Sequence, residues 1–346
     1  MIASIELSHQ PRTDSRTPQA PVADGGVFVV GVWRSGTSLL YALLNQHPDI
    51  ALMYEADLPL FWPLFAPHRK SWPSRVNFWN SALDRHGLTD AEETFGQQKR
   101  LPEAAEAVYR EFARRSNARV WGDKSPTYSG HCARLAKLFP RARFILIWRD
   151  PEQVCSSVLQ AATGNSWFAR PGTITRALFS TAALKKDADW LERHSRAVYQ
   201  LSYDRLTRDT EDVMAEIAAF LGIPYDPRMA TLEGADHSAV YDGTHHASVK
   251  SEKIRSAGEK SRLSTHLRGK IRRYLTFWSE KHGPAWPLYR EPANLHESGE
   301  GLGLPEKVLD RFALTVFRLL DIVALVAYSN MPIALLEAYR NRKRPL

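Results

Sequence analysis

Two cysteines, Cys132 and Cys155, are all that a chain of 346 residues contains. That count excludes a disulfide framework and leads to the expectation of a reducing, cytoplasmic setting. Residues 1–24 have three prolines, many polar side chains and no apolar core run. They are expected to be a disordered tail, neither a secretory leader nor a membrane anchor. No repeat at solenoid spacing is present. No basic tract or nucleic-acid-binding signature gathers the lysines and arginines, which are spread along the chain, so nucleic acid is not an expected partner. The net charge of +8 does call for a partner carrying negative charge, which a polyanionic nucleotide, an acidic glycan or an anionic membrane surface would each supply.

The informative stretch is Val27-Phe28-Val29-Val30-Gly31-Val32-Trp33-Arg34-Ser35-Gly36-Thr37-Ser38, continuing into Leu39-Leu40-Tyr41-Ala42-Leu43-Leu44. Four apolar residues read as a buried strand, and Leu39, Leu40, Leu43 and Leu44 share one helical face. A turn of small and hydroxyl residues lies between them. Strand, Gly-bounded turn and helix N-terminus together make an anion site, because free amides and the positive end of the helix dipole converge there. Arg34 adds a planar cation. The Gly31-to-Gly36 spacing fits a nucleoside-triphosphate loop, but Thr37 stands where such a loop carries lysine, and no second strand ends in an obvious Mg²⁺-binding aspartate. A P-loop kinase is therefore an alternative that lacks its central cation.

Along the chain, Ile50 to Tyr54 reads as a second buried strand with Glu55 and Asp57 at its carboxyl end, the rim on which ligands bind in an open α/β sheet. By position alone, Glu55 suits a solvated loop or capping acid equally. Leu58 to Trp79 is dense in aromatics and proline and suits either irregular packing or the wall of an acceptor pocket. Residues 91–116 have helical character. Arg119 to Pro126 is a short strand and charged loop that puts Lys124 at the rim, where it would pair with Asp123, cap a helix or serve the site. Arg143 to Trp148 is the clearest buried strand and feeds Arg149-Asp150-Pro151, with Pro151 suited to a helix first turn. Ser156 and Ser157 follow on that helix, so an arginine fork and a hydroxyl can hold a phosphate together. Ala197 to Leu206 reads as a further strand, Asp212 to Leu221 as a helix closed by Gly222, and Ile271 to Trp278 as another helix. The polar, basic run from Asp236 to Ser264 reads as a solvated loop or helix face. Its adjacent His245 and His246 lack the spacing and companions of a metal site. Residues 291–304 look like a linker and 305–346 like an apolar helical extension with a basic end. That extension is expected to pack on the domain or a second subunit, or to lie peripherally on the cytoplasmic face of a membrane.

The pattern G-x-x-R-S-G-T-S resembles the 5′-phosphosulfate loop of sulfotransferases that use 3′-phosphoadenosine 5′-phosphosulfate (PAPS). R-D-P-x-x-V-x-x-S from Arg149 to Ser157 is similar to the 3′-phosphate motif of the same family, and Tyr203-Asp204-x-Leu206 adds to the likeness. The resemblance spans Val27 to Tyr289. It implies a single α/β domain over 25–290, P-loop-like, with a central, mainly parallel sheet flanked by helices. It also implies sulfuryl transfer from PAPS to an acceptor hydroxyl, with 3′,5′-ADP as product and no metal. Carried over residue by residue, Arg34, Ser35, Gly36, Thr37 and Ser38 hold the 5′-phosphosulfate, and Arg149 and Ser157 the 3′-phosphate. Ser248 and Lys250 would close over the nucleotide. Glu55 is the general base, with Asp57 and His47 as alternatives, while Lys124 and Arg34 stabilise the transition state. An acidic base and an arginine at position 34 resemble the glycan- and protein-tyrosine-directed members more than the cytosolic small-molecule members. A glycan, lipid head group or small metabolite is the expected acceptor, with protein tyrosine also open. A non-catalytic, membrane-associated nucleotide-binding scaffold is a further alternative.

Overall fold

The computed structural model describes residues 25–60, 83–88, 101–164, 168–170, 172–240, 254, 263–282 and a discontinuous set between 303 and 323. Among the described residues, five strands form one parallel sheet: β1 (Val27–Gly31), β2 (Ile50–Tyr54), β3 (Val120–Lys124), β4 (Arg143–Trp148) and β5 (Val198–Ser202), in spatial order β2-β3-β1-β4-β5. The fold is α/β, as expected. Helices α1 (Thr37–Leu44), α2 (Leu101–Arg115), α3 (Cys132–Leu138), α4 (Pro151–Ala162), α5 (Thr173–Arg193), α6 (Tyr203–Arg208), α7 (Thr210–Leu221) and α8 (Thr265–His282) surround it.

The near-continuous apolar strands have their cause in burial on both faces. Val27 and Val29 of β1 pack with α1 and α7 on one side of the sheet, while Phe28 and Val30 pack with α2, α3 and α5 on the other. Fully burying one such side chain contributes roughly 1.5–3 kcal/mol. Phe28 sits in an aromatic nest with Tyr109, Tyr128, Phe139 and Phe144 at ring separations of 5.2–6.3 Å. Helix α8 extends the packing by setting Ile271, Tyr274, Leu275 and Trp278 against Cys155 and Leu178. Both cysteines are free and buried on helices.

Strand order places the first turn at the centre of function. From β1 the chain crosses to β2 on one side of the sheet, and from β3 it crosses to β4 on the other, so the β1–α1 turn lies at the topological switch point. One expectation is corrected here. The segment from Ala197 to Leu206 does not remain extended: β5 stops at Ser202, whose hydroxyl accepts from the Arg205 amide and caps α6. That cap turns Tyr203 back toward the β1–α1 turn.

The described positions between 304 and 323 are helical. They expose Leu304, Val308, Leu309, Phe312, Val316, Leu319 and Val323. Among the described residues, no helix is long and apolar enough to cross a membrane.

Candidate active site

The turn after β1 is held by its own geometry. The Ser35 amide donates to the Val32 carbonyl at 3.0 Å, and both Arg34 (φ 68°) and Gly36 (φ 101°) are left-handed. Gly36 is required twice over. Its φ disfavours a side chain, and a Cβ there would sit 2.3 Å from the Tyr203 ring. As N-cap of α1, Gly36 has no side chain to satisfy the first amides of the helix, and the first turn carries no acid to offset the dipole. Among the described residues, the buried Ser35 hydroxyl has no hydrogen-bond partner. Unsatisfied amides, an orphaned hydroxyl and small residues make this turn a fit for an anionic group.

Two arginines meet over it. Arg34 Nε donates to Ser157 Oγ on α4 at 3.0 Å, and Arg149 Nη1 donates to the Arg34 carbonyl at 2.9 Å. Arg149 also donates to Gln153 at 3.1 Å and lies over the Tyr203 ring at 4.2 Å from its centroid. Asp150 and Pro151 fix the start of α4, the Asp150 carboxylate accepting from the Gln153 amide at 2.9 Å. Burial, and secondarily the charge of Arg149, lower the Arg34 pKa to about 10. Two guanidiniums crowded on one turn favour an anion between them. The two half-motifs, far apart in sequence, are thus one hydrogen-bonded unit.

On the neighbouring edge, β2 and β3 end in register, Tyr54 beside Lys124. Lys124 is fully buried; its Nζ is 2.8 Å from Glu55 Oε1, 3.4 Å from Ser38 Oγ and 3.3 Å from the centroid of the Tyr54 ring. Ser38 Oγ in turn lies 2.7 Å from the Tyr54 hydroxyl. Burial lowers the lysine pKa and the Glu55 carboxylate opposes that fall. The Glu55 side chain keeps 23% of its surface open. A proton acceptor that reaches solvent and a buried cation therefore flank the anion turn.

The Glu55 turn is strained and supported from below. Glu55 (φ 49°) and Asp57 (φ 54°) are left-handed. The Glu55 amide donates to the Lys124 carbonyl at 2.8 Å, and Arg85 donates to the Tyr54 and Glu55 carbonyls at 3.2 and 3.0 Å. Beneath, the buried Asp123 carboxylate accepts from the Ala56 and Asp57 amides at 3.2 and 2.9 Å and from the Tyr109 and Tyr128 hydroxyls.

The alternative bases fare differently from Glu55. Asp57 shares the rim in sequence but its carboxyl is buried, and burial together with the Asp123 charge pushes it up to about 8. His47 sits between the end of α1 and the start of β2, at the amino-terminal end of the strands, opposite the rim. Its Nδ1 accepts from the Asp49 amide at 3.0 Å, leaving Nε2–H to donate to the Pro224 carbonyl at 2.8 Å. Neither nitrogen faces the anion turn. Ser248, Lys250, His245 and His246 lie outside the described residues, as does most of the aromatic run between Leu58 and Trp79. Among the described residues, no three of His, Cys, Asp and Glu gather as a metal site would require.

Sequence reasoning missed Tyr54, Asp123, Tyr128 and Tyr203 as parts of this site. Each closes a strand, supports a turn or caps a helix, and nothing in local pattern separates them from core residues. Tyr54 and Asp123 are signalled by adjacency, since they directly precede Glu55 and Lys124, and Tyr203 by the Tyr203-Asp204-x-Leu206 pattern.

Residues 26–227 match the model of the sulfotransferase family. The nodulation protein NoeE of Sinorhizobium fredii is 28% identical over 230 residues, covering 61% of this chain and 52% of that protein. Protein-tyrosine sulfotransferase 1 of Danio rerio is 28% identical over 214 residues, covering 58% of this chain and 54% of the relative. The chain thus spans about half the length of these curated relatives. The sulfotransferase domain of the Synechococcus PCC 7002 olefin synthase superposes with a TM-score of 0.51 at 20% identity, over 82% of this chain and 100% of that one. The sulfotransferase domain of the curacin biosynthetic pathway gives 0.52 at 19% identity, over 74% and 97%. These two share the fold. With more than half its length matched by the family model, and with the anion turn, the paired arginines and the Glu55–Lys124 rim all inside the matched region, the chain belongs to the sulfotransferase family.

Proposed function

We propose that the protein transfers a sulfuryl group from PAPS to an acceptor hydroxyl, with Glu55 as general base. The observation that carries this reading is the convergence of Arg34, Arg149 and Ser157 on the β1–α1 turn beside the Glu55–Lys124 pair. The orphaned Ser35 hydroxyl and the unsatisfied first amides of α1 fit a bound phosphosulfate. What such a donor supplies is a sulfuryl group on a good leaving phosphate.

In this reading, Arg34 and residues Ser35 to Ser38 bind and orient the 5′-phosphosulfate and stabilise charge on the departing phosphate oxygens. Arg149 and Ser157 bind the 3′-phosphate, and Ser248 and Lys250 cover the nucleotide. Glu55, partly open to solvent, accepts the acceptor's hydroxyl proton on its carboxylate as the new bond forms. The Lys124 ammonium donates toward the group in transit and to the Glu55 carboxylate at 2.8 Å. The acceptor is a hydroxyl of a glycan, a lipid head group, a small metabolite or a protein tyrosine, the last in keeping with the names of several relatives. A reducing, cytoplasmic setting suits the two free, buried cysteines.

Calorimetry with 3′,5′-ADP and 5′-AMP tests the assignment. Arg149→Ala is expected to weaken 3′,5′-ADP by roughly tenfold or more, given the strength of charge-assisted bonds to phosphate, and to weaken 5′-AMP far less, through the lost bond to the Arg34 carbonyl alone. Equal losses for both ligands would remove the 3′-phosphate assignment, and Mg-ATP turnover in the absence of PAPS would restore the kinase reading.

The C-terminal segment is proposed to pair with a second copy of this chain. Leu309, Phe312, Val316, Leu319 and Val323 recur at alternating steps of three and four, the seam of a two-helix contact, and all five are exposed. Light scattering should give a dimer for the full chain and a monomer after truncation at Gly303, with 3′,5′-ADP binding retained. A monomeric full chain that floats with anionic vesicles would assign the segment to a membrane surface instead.

A further inference from the structure

Between the two halves of the site lies one side chain that neither half accounts for. Tyr54 is fully buried at the end of β2, where the apolar strand gives way to the rim. Its ring lies under the Lys124 ammonium at 3.3 Å, with Tyr41 stacked edge-on against it at 5.0 Å and 79°. Its hydroxyl lies 2.7 Å from Ser38 Oγ, in the first turn of α1. On its other side, its amide donates to His86 Nε2 at 2.8 Å and its carbonyl accepts from Arg85 at 3.2 Å, so its backbone is pinned as well.

We propose that Tyr54 is a positioning residue of the transfer site, whose ring seats the Lys124 ammonium against Glu55 and whose hydroxyl fixes Ser38 in the anion turn. The proposal rests on the sulfotransferase reading for what the site does, but not for the contacts themselves. A buried ammonium is costly unless its charge is met on several sides. The Glu55 carboxylate meets it on one side, and the negative face of an aromatic ring at this distance meets it on another. Among the described residues, the Asp123 and Asp57 carboxyls, the Ser38 hydroxyl and, more distantly, the Tyr41 ring at 6.0 Å also act on Lys124. Through Ser38 the same phenol bears on the anion turn. The cation that steadies the base and the hydroxyl that grips the donor are therefore set by one rigid ring.

The test separates ring from hydroxyl. In protein labelled with carbon-13 at the lysine ε position, the resonance lost in Lys124→Arg identifies Lys124. Tyr54→Phe is then made with successive ring fluorines, which weaken the negative face while preserving shape. The Lys124 titration midpoint should fall stepwise, by roughly one pH unit across the series. A midpoint that does not move with fluorination overturns the ring's role. Tyr54→Phe without fluorine should leave that midpoint in place and weaken 3′,5′-ADP by roughly fivefold, the net worth of one hydrogen bond. Unchanged affinity overturns the hydroxyl's role. Should the unmodified protein fail to bind 3′,5′-ADP at all, the donor reading and the hydroxyl's role fall together, while the lysine titration still decides the ring's.

Discussion

Replacing Asp57 with asparagine should stabilise the protein increasingly as pH rises. Asp57 is almost fully buried, beside the Asp123 carboxylate, and burial followed by that charge raises its pKa from an ordinary 3.8 to about 8. Between those values the folded chain keeps a proton that the unfolded chain has released. The stability that proton contributes is fully present below the unfolded pKa and is lost as pH rises through the folded one. A lone group so shifted would lower stability by about 1.4 kcal/mol per pH unit in that window. Asp123 is raised as well, to about 6, so the two carboxyls share the titration and about 1 kcal/mol per unit is expected from position 57. Asp57→Asn keeps the shape and a hydrogen-bonding group but removes the titration, so its curve should be flatter. Urea unfolding between about pH 5.5 and about pH 7.5 should show the variant gaining about 2 kcal/mol on the wild type. Parallel stability curves for the two proteins would refute the reasoning, because they would mean that Asp57 is ionised throughout in the folded state.

Glu55→Gln should lower sulfuryl transfer by roughly 10²- to 10⁴-fold, the usual contribution of a positioned general base, and leave 3′,5′-ADP affinity almost unchanged. Full turnover in that variant would remove Glu55 as base. Gly36→Ala should destabilise the fold by about 2–4 kcal/mol, from the left-handed backbone and from overpacking against the Tyr203 ring 2.3 Å away, read as a lower thermal midpoint and weaker nucleotide binding. An unchanged midpoint would show that the turn relaxes freely.

Much of this architecture was legible because parallel strands buried on both faces write themselves as short apolar runs ending in chemistry. The apolar runs at Val27 to Gly31, Ile50 to Tyr54 and Arg143 to Trp148 each read as strands, and each ends at the rim where Arg34, Glu55 and Arg149 stand. The error at β5 has a local cause: Tyr199, Leu201 and Tyr203 alternate with Gln200 and Ser202 at the period of a strand, and only the Ser202 cap, a side-chain event, ends it. What pattern does not encode is how the rims are braced. The sequence puts Ser157 eight positions after Arg149, but only the strand order β3-β1-β4 brings it to Arg34 Nε. Likewise Lys124 looks like a partner for its neighbour Asp123, yet alternation along β3 sends the two side chains to opposite faces. Asp123 turns under the sheet to hold the Ala56 and Asp57 amides, and Lys124 turns to Glu55 and Ser38. That split gives the site its order. A carboxylate beneath the sheet fixes the strained Glu55 turn, and the adjacent lysine above it receives the Glu55 carboxylate. Shortening β3 by one residue would therefore send the two charges to the opposite faces and leave Glu55 without either support.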